Sequence, residues 1–103
     1  MSDVLSTLDI SKEQIEGFCK RHRIRRLAFF GSVLRENFRS DSDVDVLYEF
    51  EPGHETGHDI VAVVDELEAM LGGRNVDFVP FKGVRNPFLR QNIRRSHQVV
   101  YAA

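Results

Sequence analysis

Two short groups of residues in the first half of the chain have the types and spacing for nucleotide chemistry. An apolar run ends at Gly31-Ser32, and Asp43-Val44-Asp45 follows ten residues later. In a strand, side chains two positions apart point to the same face, so the two carboxylates could act together. Mg²⁺ is typically held by one or two carboxylates plus substrate phosphates, and the free N–H groups of a helix start bind phosphate. The pattern therefore predicts a site for a nucleoside triphosphate and a divalent metal.

The residues around Gly31 also have a plain structural interpretation. Glycine lets a phosphate approach the backbone closely and the Ser32 hydroxyl can donate to it, but Gly-Ser is also common in turns that cap a helix. A short helix is predicted over residues 33–38. Arg35 lies three positions after Ser32, so both side chains could face one ligand. A solvated surface arginine is the alternative for Arg35. The downstream carboxylates favour the functional interpretation of the turn, and Asp41 is interpreted as a turn or cap residue.

A later segment supplies a third carboxylate. Asp77 stands within residues 75–80, which otherwise read as an apolar strand. Burying an unpaired carboxylate is costly, so Asp77 should either join the other acids or lie in a salt bridge or at a strand edge. We expect it beside Asp43 and Asp45.

Taken together, these motifs resemble the signature of a known superfamily. Gly31-Ser32, ten intervening residues, Asp43-x-Asp45 and a later Val76-Asp77-Phe78-Val79 resemble the DNA polymerase beta-like nucleotidyltransferases, and the chain is similar to their minimal nucleotidyltransferase (MNT) branch. The resemblance implies an enzyme that moves AMP from ATP to a hydroxyl with two Mg²⁺ ions. It assigns catalysis and metal binding to Asp43, Asp45 and Asp77. It assigns phosphate binding to Gly31, Ser32 and Arg35.

The same resemblance implies a protein partner. MNT proteins often act as antitoxins of HEPN-domain ribonucleases and modify a tyrosine on them, so a HEPN-type toxin in a hetero-oligomer is the expected partner. One alternative is a catalytically silent binding module that neutralises a toxin by covering it. Another is nucleotidyl transfer to a small molecule such as an antibiotic, which the lack of a second, substrate-gripping domain disfavours.

Length and composition restrict the class of protein further. The 103 residues, 42% of them hydrophobic, fit one domain over residues 1–103 with a core that needs no disulfide. A net charge of −2 gives no general attraction to nucleic acid or anionic membranes, so no direct DNA binding is expected. With no membrane-length apolar run and no signal-peptide pattern at the start, we expect a cytoplasmic location without membrane contact.

Hydrophobic periodicity predicts the elements that position the candidate site. Ser11 and Gln14 fit a capping box for a helix over residues 12–22, in which Cys19 should be a buried hydrophobe rather than a reactive thiol. Further helices are expected at residues 60–71 and 87–95, and strands at 27–30, 44–50, 75–80 and 98–101. This order predicts an α/β (α+β) fold, a small mixed β-sheet flanked by helices, as in the polymerase beta-like core.

Three remaining charged groups have weaker functional interpretations. Residues 54–58 match the zinc-protease pattern H-E-x-x-H, but nearby Pro52, Gly53 and Gly57 favour a loop over the helix that zinc binding needs. Acidic residues at 65, 66 and 68 read as a solvated helix face. Residues 82–95 hold five basic residues and no acid, which indicates a solvated basic face or contact with a nucleotide, RNA or an acidic partner.

Overall fold

The chain is organised around one four-stranded mixed sheet. The computed structural model describes residues 4–34, 42–54, 59–82, 87–95 and 97–103. The strands are Ile24–Phe30 (β1), Val44–Phe50 (β2), Val76–Pro80 (β3) and His97–Ala102 (β4), in the spatial order β3-β2-β1-β4. Both β2 and β4 run antiparallel to β1, and β3 runs parallel to β2. The α-helices are Val4–Thr7 (α1), Lys12–Arg21 (α2), Ile60–Met70 (α3) and Pro87–Arg95 (α4). The predicted fold class is confirmed.

Strand β1 lies at the centre because its last four residues are apolar on both faces. Leu27 and Phe29 belong to the larger core on one side of the sheet, and Ala28 and Phe30 belong to a smaller core on the other. All four are at most 1% exposed. A continuous apolar run without alternation is typical of such a strand, which is covered on both sides.

The first three helices pack against the sheet to form the larger core. Helix α2 contributes Ile15, Phe18 and Cys19, and α3 contributes Val63 and Leu67. Cys19 is fully buried in this core, which confirms the predicted buried hydrophobe, and the same burial raises the pKa of its thiol to about 12. The four-residue helix α1 adds to this core and was not predicted, because so short a segment cannot display helical periodicity.

The smaller core lies under α4 on the opposite face of the sheet. Ala28, Phe30 and Leu47 form its buried part, and Ile93 of α4 packs against them. This side of the sheet buries far fewer residues than the side covered by α2 and α3. Residues of β2 with the same parity as Leu47, including Asp45, therefore face the thinly covered side.

Side chains cap the starts of α2 and α3, and the capping box predicted for α2 is confirmed. The Ser11 and Gln14 side chains form the reciprocal capping box of α2. The Asp59 side chain accepts a hydrogen bond from the Ala62 N–H at the start of α3.

Among the described residues, no helix combines the length and apolarity needed to cross a membrane.

Two sequence expectations about local structure are wrong. Glu66 does not simply face solvent: its carboxylate lies 2.8 Å from the Arg21 guanidinium and 3.0 Å from His22 Nε2, which ties α3 to α2. The short helix after β1 begins at Gly31 rather than at residue 33, and its described part, Gly31–Leu34, is a 3₁₀-helix. Residues 35–38 of that predicted helix lie outside the described residues.

The Glu66 ion pairs predict a pH-dependent contribution to stability. Partial burial raises the pKa of Glu66, but hydrogen bonds and positive charge from Arg21 and His22 outweigh this and leave the pKa below its ordinary value of 4.5. Such a carboxylate stabilises the fold above its unfolded pKa, and the contribution disappears as the pH falls through the lower folded pKa. Glu66→Gln should therefore lower the free energy of unfolding at pH 7 by about 0.5 kcal/mol.

Urea unfolding at pH 7 and again below the lowered pKa measures this effect, with Asp65→Asn on the same helix as the control. The difference between Glu66→Gln and the unsubstituted chain should vanish at the acidic pH. An equal difference at both values would mean that the ion pairs do not contribute.

Candidate active site

Two of the predicted carboxylates, Asp45 and Asp77, lie at the same end of the sheet, each as the second residue of its strand. The parallel register pairs Asp45 with Asp77, and directly paired residues of neighbouring strands share a face. Asp43 immediately precedes β2 and has the same parity as Asp45. We refer to Asp43, Asp45 and Asp77 as the acidic edge. Asp45 and Asp77 lie on the face that carries α4.

The members of the acidic edge differ in their access to solvent. Asp45 is half-buried, whereas Asp43 and Asp77 are exposed. Asp77 lies on β3, an edge strand of the sheet, and a strand edge is one of the positions that the sequence left open for it. Desolvation therefore does not explain an acid at position 77, and the carboxylate is open to a large molecule approaching from outside.

Gly31 lies directly against the acidic edge. Its φ of 76° is in the left-handed region, which favours glycine. A Cβ added at Gly31 would collide with Oδ2 of Asp45. This contact arises because Phe30, the residue before Gly31, pairs with Asp45 in the antiparallel register of β1 and β2. The structure therefore brings together the glycine and the carboxylate that the sequence motif separates by thirteen residues.

Of the other predicted phosphate-binding residues, Ser32 is among the described residues and Arg35 is not. Ser32 lies in the 3₁₀-helix directly after Gly31, and its backbone therefore leaves the sheet beside Asp45. Arg35 and Asp41 lie outside the described residues, as does most of the H-E-x-x-H match, of which only the exposed His54 is described.

A side chain that sequence reasoning assigned to solvent holds β3 in place. Oε2 of Glu68 accepts a hydrogen bond from the Val76 N–H over 2.8 Å, one residue before Asp77. The Val44 N–H donates to the Asn75 carbonyl oxygen over 2.9 Å at the same end of the sheet. The signal that could have indicated Glu68 is its position near the C-terminus of α3, where the helix dipole disfavours a carboxylate without a specific partner.

Aromatic packing on the opposite face fixes the same two strands further along. The rings of Tyr48 and Phe78 are stacked, with centroids 3.9 Å apart and planes 4° from parallel. The Phe81 N–H donates to the Tyr48 carbonyl oxygen over 3.0 Å. The register that pairs Asp45 with Asp77 is thus held at both ends of β3.

The donor chemistry of the acidic edge suits Mg²⁺. Within the part of the chain that the structure describes, no three Asp, Glu, His or Cys side chains converge closely enough to hold a metal ion. Asp45 and Asp77 are nevertheless neighbours in the register, and carboxylate oxygens are the hard ligands that Mg²⁺ prefers. The Asp45 carboxylate also touches the backbone at Gly31, where a phosphate could approach closely. The residues present therefore fit a metal-bound triphosphate.

This fold and site define a nucleotidyltransferase enzyme. The nucleotidyltransferase domain family matches residues 11–100, and the chain belongs to that family. It is 30% identical over 101 residues to the protein adenylyltransferase MntA of Thermococcus cleftensis, covering 98% of this chain and 94% of that protein. A Methanocaldococcus jannaschii protein named as a candidate protein adenylyltransferase is 33% identical over 82 residues, 80% of this chain and 85% of its own.

Solved structures agree with this assignment. A candidate minimal nucleotidyltransferase is 39% identical with a TM-score of 0.67, and the match covers 90% of this chain and 92% of that chain. A toxin–antitoxin crystal structure with AMP-PNP has a TM-score of 0.68 at 16% identity, covering 91% of this chain and 75% of that one, and shows similarity of fold alone. The resemblance to minimal nucleotidyltransferases is confirmed.

The contact between Gly31 and Asp45 predicts that substitutions at Gly31 and at Gly53 destabilise the fold alike but differ in their effect on ATP binding. Gly31→Ala places a Cβ against the Asp45 carboxylate at a positive φ, so the carboxylate must move. Gly53→Ala is a matched control, since Gly53 has a φ of 84° and no atom within 4 Å of an added Cβ. Each substitution should destabilise the fold by about 1–2 kcal/mol through backbone strain.

Only Gly31→Ala should weaken the binding of ATP with Mg²⁺, by roughly tenfold or more if a charged contact is lost. Isothermal titration calorimetry measures the affinity and thermal unfolding measures the stability. Equal ATP affinities for the two variants would show that the Gly31–Asp45 contact has no part in the site.

Proposed function

We propose that this chain transfers AMP from ATP to a hydroxyl group of a protein, and that this protein is a HEPN-type toxin which the transfer neutralises. The observation that carries the proposal is the pairing of Asp45 with Asp77 across parallel strands, next to the glycine turn at Gly31. Membership of the nucleotidyltransferase domain family and relatives named protein adenylyltransferases support it. We further propose that residues 1–103 act as one domain.

The transfer is a substitution at the α-phosphorus of ATP. The acceptor oxygen forms a bond to that phosphorus, and the bond to the oxygen bridging the α- and β-phosphates breaks. Pyrophosphate leaves with the bonding electrons, and the hydroxyl proton passes to a base. Asp77 is the proposed base, because it is exposed on an edge strand where an acceptor can reach it.

The remaining residues of the site bind and orient the nucleotide. Asp43, Asp45 and Asp77 would hold two Mg²⁺ ions, which when bound neutralise charge on the triphosphate and on the reacting oxygens. Gly31 and Ser32 would hold the β- and γ-phosphates, and Arg35 would add a further phosphate contact. Asp45 therefore has the central position, between the phosphate-binding turn of β1 and the acceptor side at β3.

A protein acceptor fits both the geometry and the relatives. The exposed Asp77 lies on the outermost strand, so an acceptor side chain carried on a protein surface can reach it. Among proteins of the same fold is one solved as the toxin–antitoxin pair MntA–HepT. A partner of this kind would supply its own binding surface and present its hydroxyl at the acidic edge.

Asp77→Asn is expected to separate binding of the partner from its modification. The amide is nearly the same size as the carboxylate but cannot balance metal charge or accept the hydroxyl proton. Transfer of labelled AMP to the partner should fall by about 10²-fold or more. Co-purification with the partner should be unchanged. Asp65→Asn, an exposed aspartate on α3, is the matched control and should retain full transfer.

Protection of cells from the toxin then distinguishes the two mechanisms of neutralisation. If modification is the mechanism, Asp77→Asn binds the toxin but fails to protect cells. Full protection by a variant that no longer transfers AMP would show that the chain neutralises its partner by covering it.

A further inference from the structure

One row of residues crosses all four strands at the acidic end of the sheet. Asp77 pairs with Asp45, Asp45 with Phe30, and Phe30 with His97, the first residue of β4. Paired residues of adjacent strands share a face, and neighbouring strands lie about 4.8 Å apart. His97 therefore lies on the same face as the acidic edge, on the far side of Phe30 from Asp45.

The turn after Phe30 begins at the end of the strand that pairs with Asp45 on one side and with His97 on the other. Gly31 follows Phe30 directly and begins the 3₁₀-helix Gly31–Leu34. One flank of the turn carries the Asp45 carboxylate, which touches Gly31. On the other side, His97 is paired with Phe30, the residue before Gly31. A triphosphate bound at the turn would have metal-binding carboxylates on one side and the imidazole of His97 on the other.

The His97 ring is already oriented by the protein. Nδ1 lies 2.9 Å from the carbonyl oxygen of Ile93. A carbonyl only accepts, so Nδ1 carries the proton and donates. Ile93 packs against the core of Phe30 and Leu47, so that its carbonyl is fixed relative to the sheet. The second nitrogen, Nε2, remains for a ligand, and His97 is exposed to solvent.

We propose that His97 is a further nucleotide-binding residue, which donates from Nε2 to a β- or γ-phosphate oxygen of ATP. The inference rests on the proposed function, because it requires a triphosphate at Gly31-Ser32. In the imidazolium both nitrogens carry protons, so one hydrogen bond to Ile93 and one to phosphate are satisfied together. The α-phosphate, which reacts at the acidic edge, is not the expected contact.

Two substitutions at position 97 separate this role from a structural one. The amide nitrogen of asparagine reaches about as far as Nδ1, so His97→Asn can keep the bond to Ile93 but has no donor at the position of Nε2. The amide nitrogen of glutamine reaches about as far as Nε2, so His97→Gln can keep the phosphate contact but not the bond to Ile93. His54→Ala, a change of an exposed histidine outside the site, is the control.

Calorimetric titration of the full chain with ATP, pyrophosphate and AMP, each with Mg²⁺, tests the proposal. His97→Asn should bind ATP and pyrophosphate roughly tenfold more weakly, the usual effect of losing a hydrogen bond to a charged group, whereas His97→Gln should lose less. AMP affinity and the affinities of His54→Ala should be unchanged. Thermal unfolding reports separately on any loss of the Ile93 bond.

Three results would overturn the inference or its basis in different ways. If His97→Asn matches the unsubstituted chain and only His97→Gln is impaired, the histidine serves the Ile93 bond alone. If AMP affinity falls together with that of ATP and pyrophosphate, the contact is not at the β- or γ-phosphate. If the unsubstituted chain does not bind ATP with Mg²⁺, the proposed function itself fails.

Discussion

The close approach of the Asp45 carboxylate to the backbone of Gly31 is the contact on which the rest of the site depends. It requires a residue without a Cβ and with a positive φ at the end of β1, and it requires the antiparallel register that sets Phe30 opposite Asp45. The parallel register then brings Asp77 to the other side of Asp45. The glycine turn that we propose binds phosphate and the acidic edge therefore lie side by side, because two strand registers meet at one residue of β2.

The two faces of the sheet differ in how many apolar side chains they bury. Helices α1, α2 and α3 cover one face with most of the buried apolar side chains, which supply the main stabilisation. The other face has a small core under α4, so polar residues at its end remain accessible. Contacts from the stable side nevertheless hold the site: Glu68 of α3 binds the Val76 N–H beside Asp77. The larger core and the candidate site thus lie on opposite faces of the sheet, and β3 contacts both.

Features governed by local chemistry could be predicted from the sequence, and features governed by packing could not. The capping box at Ser11, the strand over residues 44–50 and the apolar end of β1 follow from neighbouring residues alone. The exposure of Asp77 depends on which strand lies at the edge, and the partners of Glu66 and Glu68 lie on other elements. His97 gave no signal, because its place opposite Phe30 exists only after β4 pairs with β1.

A crystal structure of the chain with Mn²⁺ in place of Mg²⁺ and a nonhydrolysable ATP analogue tests the central claim most directly. Anomalous scattering locates the metal independently of the nucleotide. We expect a metal about 2.1 Å from carboxylate oxygens of Asp43 and Asp45, with the β- and γ-phosphates against Gly31-Ser32. A metal bound only elsewhere, or a triphosphate that does not contact Gly31, would contradict the assignment of the site.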